Sequence, residues 1–155
     1  MPTVRFIDTC VLCNLLPVPG RDQHREKVGR ELKAHLADRD VLILPIAAVI
    51  ETGNHIAHVS DGNLRRTTAI RFNEMLTSLK NNEAPWVMHE VSWDSSFLGS
   101  FLSGAGTGMT WIEHATGEMG AGDLSILAER ELYQQRSGMH DVRIWTDDTV
   151  LRGYA

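Results

Sequence analysis

Four carboxylates stand at positions in the 155-residue chain where their side chains could act together: Asp8, Glu51, Asp123 and Asp148. Asp8 directly follows a β-prone run near the N-terminus, and Asp148 follows another near the C-terminus. Glu51 falls on the predicted helix after the second β-prone run, and Asp123 opens a late predicted helix. Because ligands of open α/β sheets bind beyond the carboxyl ends of the strands, we expect the four acids to meet at one edge of a sheet.

Four clustered carboxylates predict a site for divalent cations. Like charges a few ångströms apart repel and raise one another's pKa, and a cation removes that cost. Oxygen-only ligands suit Mg²⁺ and Mn²⁺, which can activate water and stabilise charge on a phosphate and its leaving oxygen. The predicted chemistry is therefore phosphodiester hydrolysis. Taken singly, each acid is more often a helix cap or a solvated loop residue, so the prediction depends on the four together.

Alternating strand and helix patterns must position these acids. The β-prone runs are Val4–Ile7, Val41–Leu44, Trp86–Val91 and Val142–Trp145. Helical periodicity marks Asp22–Asp38, Ala47–His58, Leu64–Lys80 and Asp123–Arg136. Strands that alternate with helices of this length predict an α/β fold with a central parallel sheet and helices on both faces.

Length and composition predict one domain over residues 1–155, with 43% hydrophobic residues to build its core. Residues 100–122 are rich in Gly, Ser and Thr and predict a flexible excursion inside that domain. No basic leader or long apolar run is present, and cysteines are few, so we expect a cytoplasmic protein without a membrane segment. The net charge of −5 is unusual for a nucleic-acid binder, but acids that hold cations contribute to it and it decides little.

Four segments in order resemble the PIN-domain family of ribonucleases, which includes the toxins of VapBC-type toxin–antitoxin pairs. They are RFIDTCVLCNLL, LPIAAVIETGNHI, GAGDLSILAE and IWTDDTVL, and together they extend over most of the chain. The resemblance implies a three-layer α/β/α sandwich and an endoribonuclease that depends on Mg²⁺ or Mn²⁺. It assigns catalysis and metal binding to Asp8, Glu51, Asp123 and Asp148.

The same resemblance implies supporting residues and partners. It selects Asp148 over Asp147 as the fourth acid and leaves Asp147 beside it in support. Thr9 and Thr146 match the family's small hydroxyl residues, which would orient the carboxylates or the water. The implied partners are an RNA substrate, a small antitoxin protein that covers the acidic pocket, and a second copy of the chain in a homodimer.

Basic residues at the start of the third predicted helix are candidates for contact with an RNA backbone. They are Arg65, Arg66 and Arg71. A solvated face that pairs with acidic groups of a partner explains them equally well.

Two other patterns have simpler interpretations. Glu51, His55 and His58 fall on one helical face, and a polar face beside the active site explains them better than a transition-metal site does. Cys10 and Cys13 form a C-x-x-C without a second pair, so we expect them to be buried beside the first strand.

Two other functions compete with the nuclease. A phosphate enzyme with Asp8 as nucleophile is a poor fit: a haloacid-dehalogenase-type enzyme needs a second Asp where Cys10 stands, and a receiver domain needs an acidic pair before the acceptor and a late Lys. A catalytically silent PIN-like module that binds RNA or a partner is the alternative that we keep. It ranks below the nuclease because the set of acids is complete.

Overall fold

The computed structural model describes residues 2–117 and 119–155. Among these residues, four strands form one sheet: β1 (Val4–Ile7), β2 (Val41–Ile43), β3 (Trp86–Val87) and β4 (Val142–Trp145). Eight helices accompany them: α1 (Thr9–Leu15), α2 (Arg25–Ala37), α3 (Ile46–Ala57), α4 (Gly62–Lys80), α5 (Ser95–Ser103), α6 (Trp111–Thr116), α7 (Ala121–Ser137) and α8 (Thr149–Arg152). The predicted α/β class with a parallel sheet flanked by helices is confirmed.

In the strand order β3-β2-β1-β4, the chain adds β2 and β3 on one side of β1 and β4 on the other. The strand order therefore reverses at β1. Val4 pairs with Val41 of β2 on one side and with Val142 of β4 on the other, and all pairings are parallel. The chain builds outward from β1 through β2 to β3 and then returns to add β4 beside β1. The carboxyl ends of β1 and β4 therefore flank the crevice in which open α/β sheets bind ligands.

The core fixes both strands and the start of α7 tightly. Phe6 and Ile7 of β1 are fully buried, and Trp145 of β4 is 5% exposed. In α7, every residue from Leu124 to Glu129 is buried, so protein surrounds this stretch of the helix on all sides. Because close-packed surroundings allow little movement, this stretch is held firmly, and Asp123 directly precedes it.

The third strand is shorter than predicted, and the prediction of Trp86–Val91 is wrong beyond Val87. β3 lies at the edge of the sheet and pairs only with β2. Its last ladder bond runs from the Leu44 N–H to the Val87 carbonyl at 2.9 Å. Pro45 follows as the N-cap of α3, so the chain leaves β2 here and offers β3 no further partner.

The Gly-rich segment 100–122 contains the end of α5, all of α6 and the start of α7. Gly104 ends α5 with φ of +87°, and a Cβ at this position would collide with the Met109 carbonyl. The chain reversal between α5 and α6 thus requires glycine. None of the helices that the structure describes combines the length and apolar character needed to span a bilayer.

Candidate active site

Asp8 lies at the carboxyl end of β1 and begins α1 as its N-cap. Its Oδ1 accepts a hydrogen bond from the Thr9 backbone N–H at 2.7 Å. Its Oδ2 accepts from Thr146 Oγ1 at 2.6 Å and from Cys10 Sγ at 3.1 Å. Burial raises the pKa of Asp8 in spite of these three bonds, and the nearby charge of Asp148 adds to the rise.

Cys10 serves this site as a neutral donor. Burial, reinforced by the charge of Asp8, raises the pKa of the Cys10 thiol to about 12. The thiol therefore keeps its proton at neutral pH and donates a hydrogen bond to Asp8. Cys13 is 1% exposed in the core, as expected, whereas Cys10 is only partly buried.

Glu51 reaches the site from the middle of α3. Its Oε1 accepts a hydrogen bond from Thr9 Oγ1 at 3.0 Å. Its carboxylate also rests against the backbone of Gly122, where an added Cβ would collide with it. Burial and then the charge of Asp8 raise the pKa of Glu51, whereas the Thr9 bond and the charge of Arg21 lower it.

Asp123 is in the first turn of α7. Burial raises its pKa to about 7, and the charges of Asp8, Glu51 and Asp148 add to the rise. The N-terminal end of a helix favours negative charge, so burial and the three neighbouring carboxylates outweigh the helix here. Asp123 is thus the acid whose pKa is raised by the charges of all three others.

Asp148 begins α8, and its neighbour Asp147 is neutralised by basic side chains. Asp148 Oδ1 accepts from two backbone N–H groups of α8, at 2.8 and 2.9 Å. The Asp148 N–H donates to Thr146 Oγ1 at 2.9 Å. Asp147 Oδ1 pairs with Lys27 Nζ at 2.6 Å and Arg152 Nη2 at 3.2 Å, and its Oδ2 is buried without a partner in the described part of the chain. Asp148 is therefore the less neutralised of the two.

These side chains line one cavity of about 370 Å³, which we term the carboxylate cavity. Its acidic lining residues are Asp8, Glu51, Asp123, Asp147 and Asp148. Thr9, Cys10 and His55 also line it. The structure thus brings the four predicted acids to one edge of the sheet, at the carboxyl ends of β1 and β4.

The predicted basic patch lies elsewhere. Arg65, Arg66 and Arg71 are exposed on α4 and do not line the carboxylate cavity. The Arg65 guanidinium donates to the Val59 carbonyl at 2.9 Å. Arg65 also borders a separate, largely apolar groove of about 350 Å³ beside Phe72.

Sequence reasoning missed five residues that line the carboxylate cavity: Asn14, Gly20, Arg21, Gln23 and His24. Asn14 is 5% exposed, and its amide joins α1 to the turn before α2. Its Nδ2 donates to the Cys10 carbonyl at 2.8 Å, and its Oδ1 accepts from the His24 N–H at 2.9 Å. A single Asn in the apolar run VLCNLL was the available signal, because a buried amide needs partners.

The donor chemistry of the cavity fits a hard divalent cation. All four predicted acids offer oxygen, and the pKa values of Asp8, Glu51 and Asp123 are raised first by burial and then by the charges of neighbouring acids, both of which a bound cation would offset. Among residues 2–117 and 119–155, however, no three His, Cys, Asp or Glu side chains stand together as a preformed metal-binding group. The acids are neighbours without being arranged around one point.

No model of a known protein family matches the chain, and no curated protein or solved structure does so. A functional assignment therefore has to come from the cavity and from the sequence motifs.

Proposed function

We propose that this protein is a metal-dependent endoribonuclease with a PIN-like, three-layer α/β/α fold, which hydrolyses RNA phosphodiester bonds with Mg²⁺ or Mn²⁺. The observation that carries the proposal is the convergence of Asp8, Glu51, Asp123 and Asp148 at the β1–β4 edge, where the pKa of Asp123 rises to about 7. Four acids that repel one another at a ligand-binding edge lower the stability of the fold, and a bound cation would offset that repulsion.

The residues of the cavity divide the work between them. Asp8, Glu51, Asp123 and Asp148 would hold the cation, which when bound supplies a Lewis acid for the phosphate and lowers the pKa of water. Thr9 and Thr146 orient Asp8 and Glu51 through the hydrogen bonds described above. Asp147 supports the site by holding two basic side chains at its margin.

The choice of RNA follows from the four motifs that resemble PIN-domain ribonucleases. The same resemblance supports a cytoplasmic toxin that pairs with an antitoxin protein and forms a homodimer. These partners belong to the proposal together with the activity.

Cleavage of a mixed RNA pool tests the proposal. The assay compares wild type in Mg²⁺, in Mn²⁺ and in EDTA with Asp8→Asn. Because outer-shell partners of a metal site already cost roughly 10–100-fold in activity, loss of a direct ligand is expected to slow cleavage at least ~100-fold. The matched control is Asp61→Asn, since Asp61 caps α4 from an exposed position and Asn caps equally well.

Metal-dependent cleavage by wild type and Asp61→Asn, lost in Asp8→Asn and in EDTA, would support the nuclease. Cleavage that persists in Asp8→Asn would contradict it. If wild type binds the RNA without cutting it in either metal, the catalytically silent binding module becomes the better description.

A further inference from the structure

Arg21 is the one Lys or Arg side chain, within the described residues, that lines the carboxylate cavity. Arg21 is exposed and forms no ion pair with any residue that the structure describes. Arg21, Glu51 and His55 line the same cavity, and the charge of Arg21 lowers the pKa of the other two. An arginine beside an acidic site that leaves the acids unpaired is available to a ligand with negative charge.

The turn that carries Arg21 is fastened to the site. The Arg21 N–H donates to the Val18 carbonyl at 2.9 Å. Three residues later, the His24 N–H donates to the buried Asn14 amide, which also binds the Cys10 carbonyl. Because Asn14 and Cys10 lie on α1, the turn is tied to the helix that also carries Thr9. Arg21 is thus held at the cavity rather than on a loose loop.

The carboxylate cavity continues into a second depression along the start of α2. This α2 groove has a volume of about 290 Å³, shares Gln23 and His24 with the carboxylate cavity, and extends to Lys27 and Arg30. Lys27 also connects the α2 groove with the carboxylate cavity, because it lines the groove and its Nζ pairs with Asp147, which lines the cavity.

The groove is locally basic in an acidic chain. Its lining holds three Lys or Arg and two Asp or Glu side chains, and Arg21 stands beside it in the carboxylate cavity, whereas the whole chain has a net charge of −5. A polyanion approaching the cations in the carboxylate cavity is attracted along this route, because backbone phosphates favour a path lined by Lys and Arg.

We propose that an RNA strand reaches the carboxylate cavity along the α2 groove, with Arg21 contacting a phosphate beside the one that is cut and Arg30 contacting a phosphate farther out. The inference rests on the proposed function and places the substrate within it. The basic patch of α4 is the competing route, and it shares no lining residue with the carboxylate cavity.

RNA binding measured without cleavage tests the path. Fluorescence anisotropy of a labelled single-stranded RNA is recorded with Asp8→Asn protein in Mg²⁺ over a range of salt concentrations, alone and combined with Arg21→Ala. Lys33→Ala is the matched control, because Lys33 is exposed on α2 and lines neither cavity. Arg66→Ala tests the α4 route in the same assay.

Loss of one phosphate contact lowers the slope of log K against log salt by about 0.7 for single strands. We expect this change with Arg21→Ala, together with a roughly 5–20-fold weaker Kd at low salt, which is ~1–2 kcal/mol. Lys33→Ala is expected to match the parent protein. Thermal unfolding confirms that each variant is folded.

Unchanged Kd and salt slope with Arg21→Ala would overturn the inference, and so would an absence of RNA binding by the parent protein. Weaker RNA binding by Arg66→Ala, with unchanged binding by Arg21→Ala, would place the strand on α4. This outcome can be told apart from that of the nuclease proposal. If RNA binding depends on Arg21 but wild type does not cleave, the path stands and the nuclease activity is refuted. If wild type cleaves and Arg21→Ala changes neither cleavage nor binding, the activity stands and the path is refuted.

Discussion

Asp123 has a pKa raised to about 7 by burial and by the charges of Asp8, Glu51 and Asp148, so its ionised form is disfavoured in the folded protein. A folded-state pKa above the ordinary value of 3.8 means that the unfolded chain loses this proton first as the pH rises. Without divalent cations, stability from this group is therefore full below about pH 4 and is lost up to about pH 7. We predict that Asp123→Asn removes this loss.

Urea unfolding in EDTA at about pH 4 and about pH 7.5 measures the effect. One pKa unit corresponds to about 1.4 kcal/mol, and after allowance for the partial exposure of Asp123 we expect the variant to gain ~1–2 kcal/mol over wild type at the higher pH only. Asp38→Asn, at the exposed end of α2, is the control and should show no such difference. The same gain at both pH values would refute the assignment to Asp123.

At the scale of elements, the contact between α3 and α7 decides whether Glu51 can take part. The Glu51 carboxylate occupies the space where a Cβ of residue 122 would lie, so Gly122→Ala must displace it. The displaced side chain is long and flexible, and Ala favours a helix by up to about 1 kcal/mol over Gly. We therefore predict unchanged or slightly higher thermal stability together with roughly tenfold weaker Mn²⁺ binding by calorimetry.

Gly99→Ala is the matched control, because this glycine is also helical and an added Cβ meets nothing within 4 Å. It should raise stability without altering Mn²⁺ affinity. If Gly122→Ala binds Mn²⁺ as wild type does, Glu51 is not a ligand.

The elements that sequence predicted well are those with a repeated pattern. The bounds of β1 and β4 are correct because each is a short run in which every residue but one arginine is apolar and buried. Helix α4 begins only two residues before its predicted start, where Asp61 caps it. The short helices α1 and α8 were missed, although Asp8 and Asp148 act as their N-caps. A helix cap was the simpler interpretation of each acid taken singly, yet no helix was predicted directly after Asp8 or Asp148, and both acids do cap helices.

What sequence could not provide are contacts between distant elements. That α7 begins at Ala121, with Gly122 inside it rather than before it, depends on how α3 and α7 pack, and so does the Glu51–Gly122 contact. The attachment of the Arg21 turn to α1 depends on Asn14, which is separated by a loop from His24, its partner. No periodicity in a single sequence encodes such pairings.

At the scale of the whole molecule, acidic side chains outnumber basic ones, and the net charge is −5. Divalent cations that bind only the folded carboxylate cavity should therefore stabilise the fold. A cation at 100 times its Kd contributes about 2.7 kcal/mol, and for a chain of this size about 1 kcal/mol raises Tm by roughly 2–4 °C. We predict that saturating Mn²⁺ or Mg²⁺ raises Tm by ~5–10 °C.

General screening by salt would also relieve repulsion, so KCl at matched ionic strength must be measured beside the divalent salt. Site binding and screening then separate through two variants of equal charge change. Asp8→Asn should lose most of the cation-dependent rise in Tm, because it removes a carboxylate from the cavity, whereas Asp61→Asn should keep it, because Asp61 caps α4 at an exposed position. Equal rises in both variants would mean that the cations act over the whole acidic surface and that the carboxylate cavity is not their site. This measurement needs no RNA, so it reports on the cation site even if the protein binds RNA without cutting it.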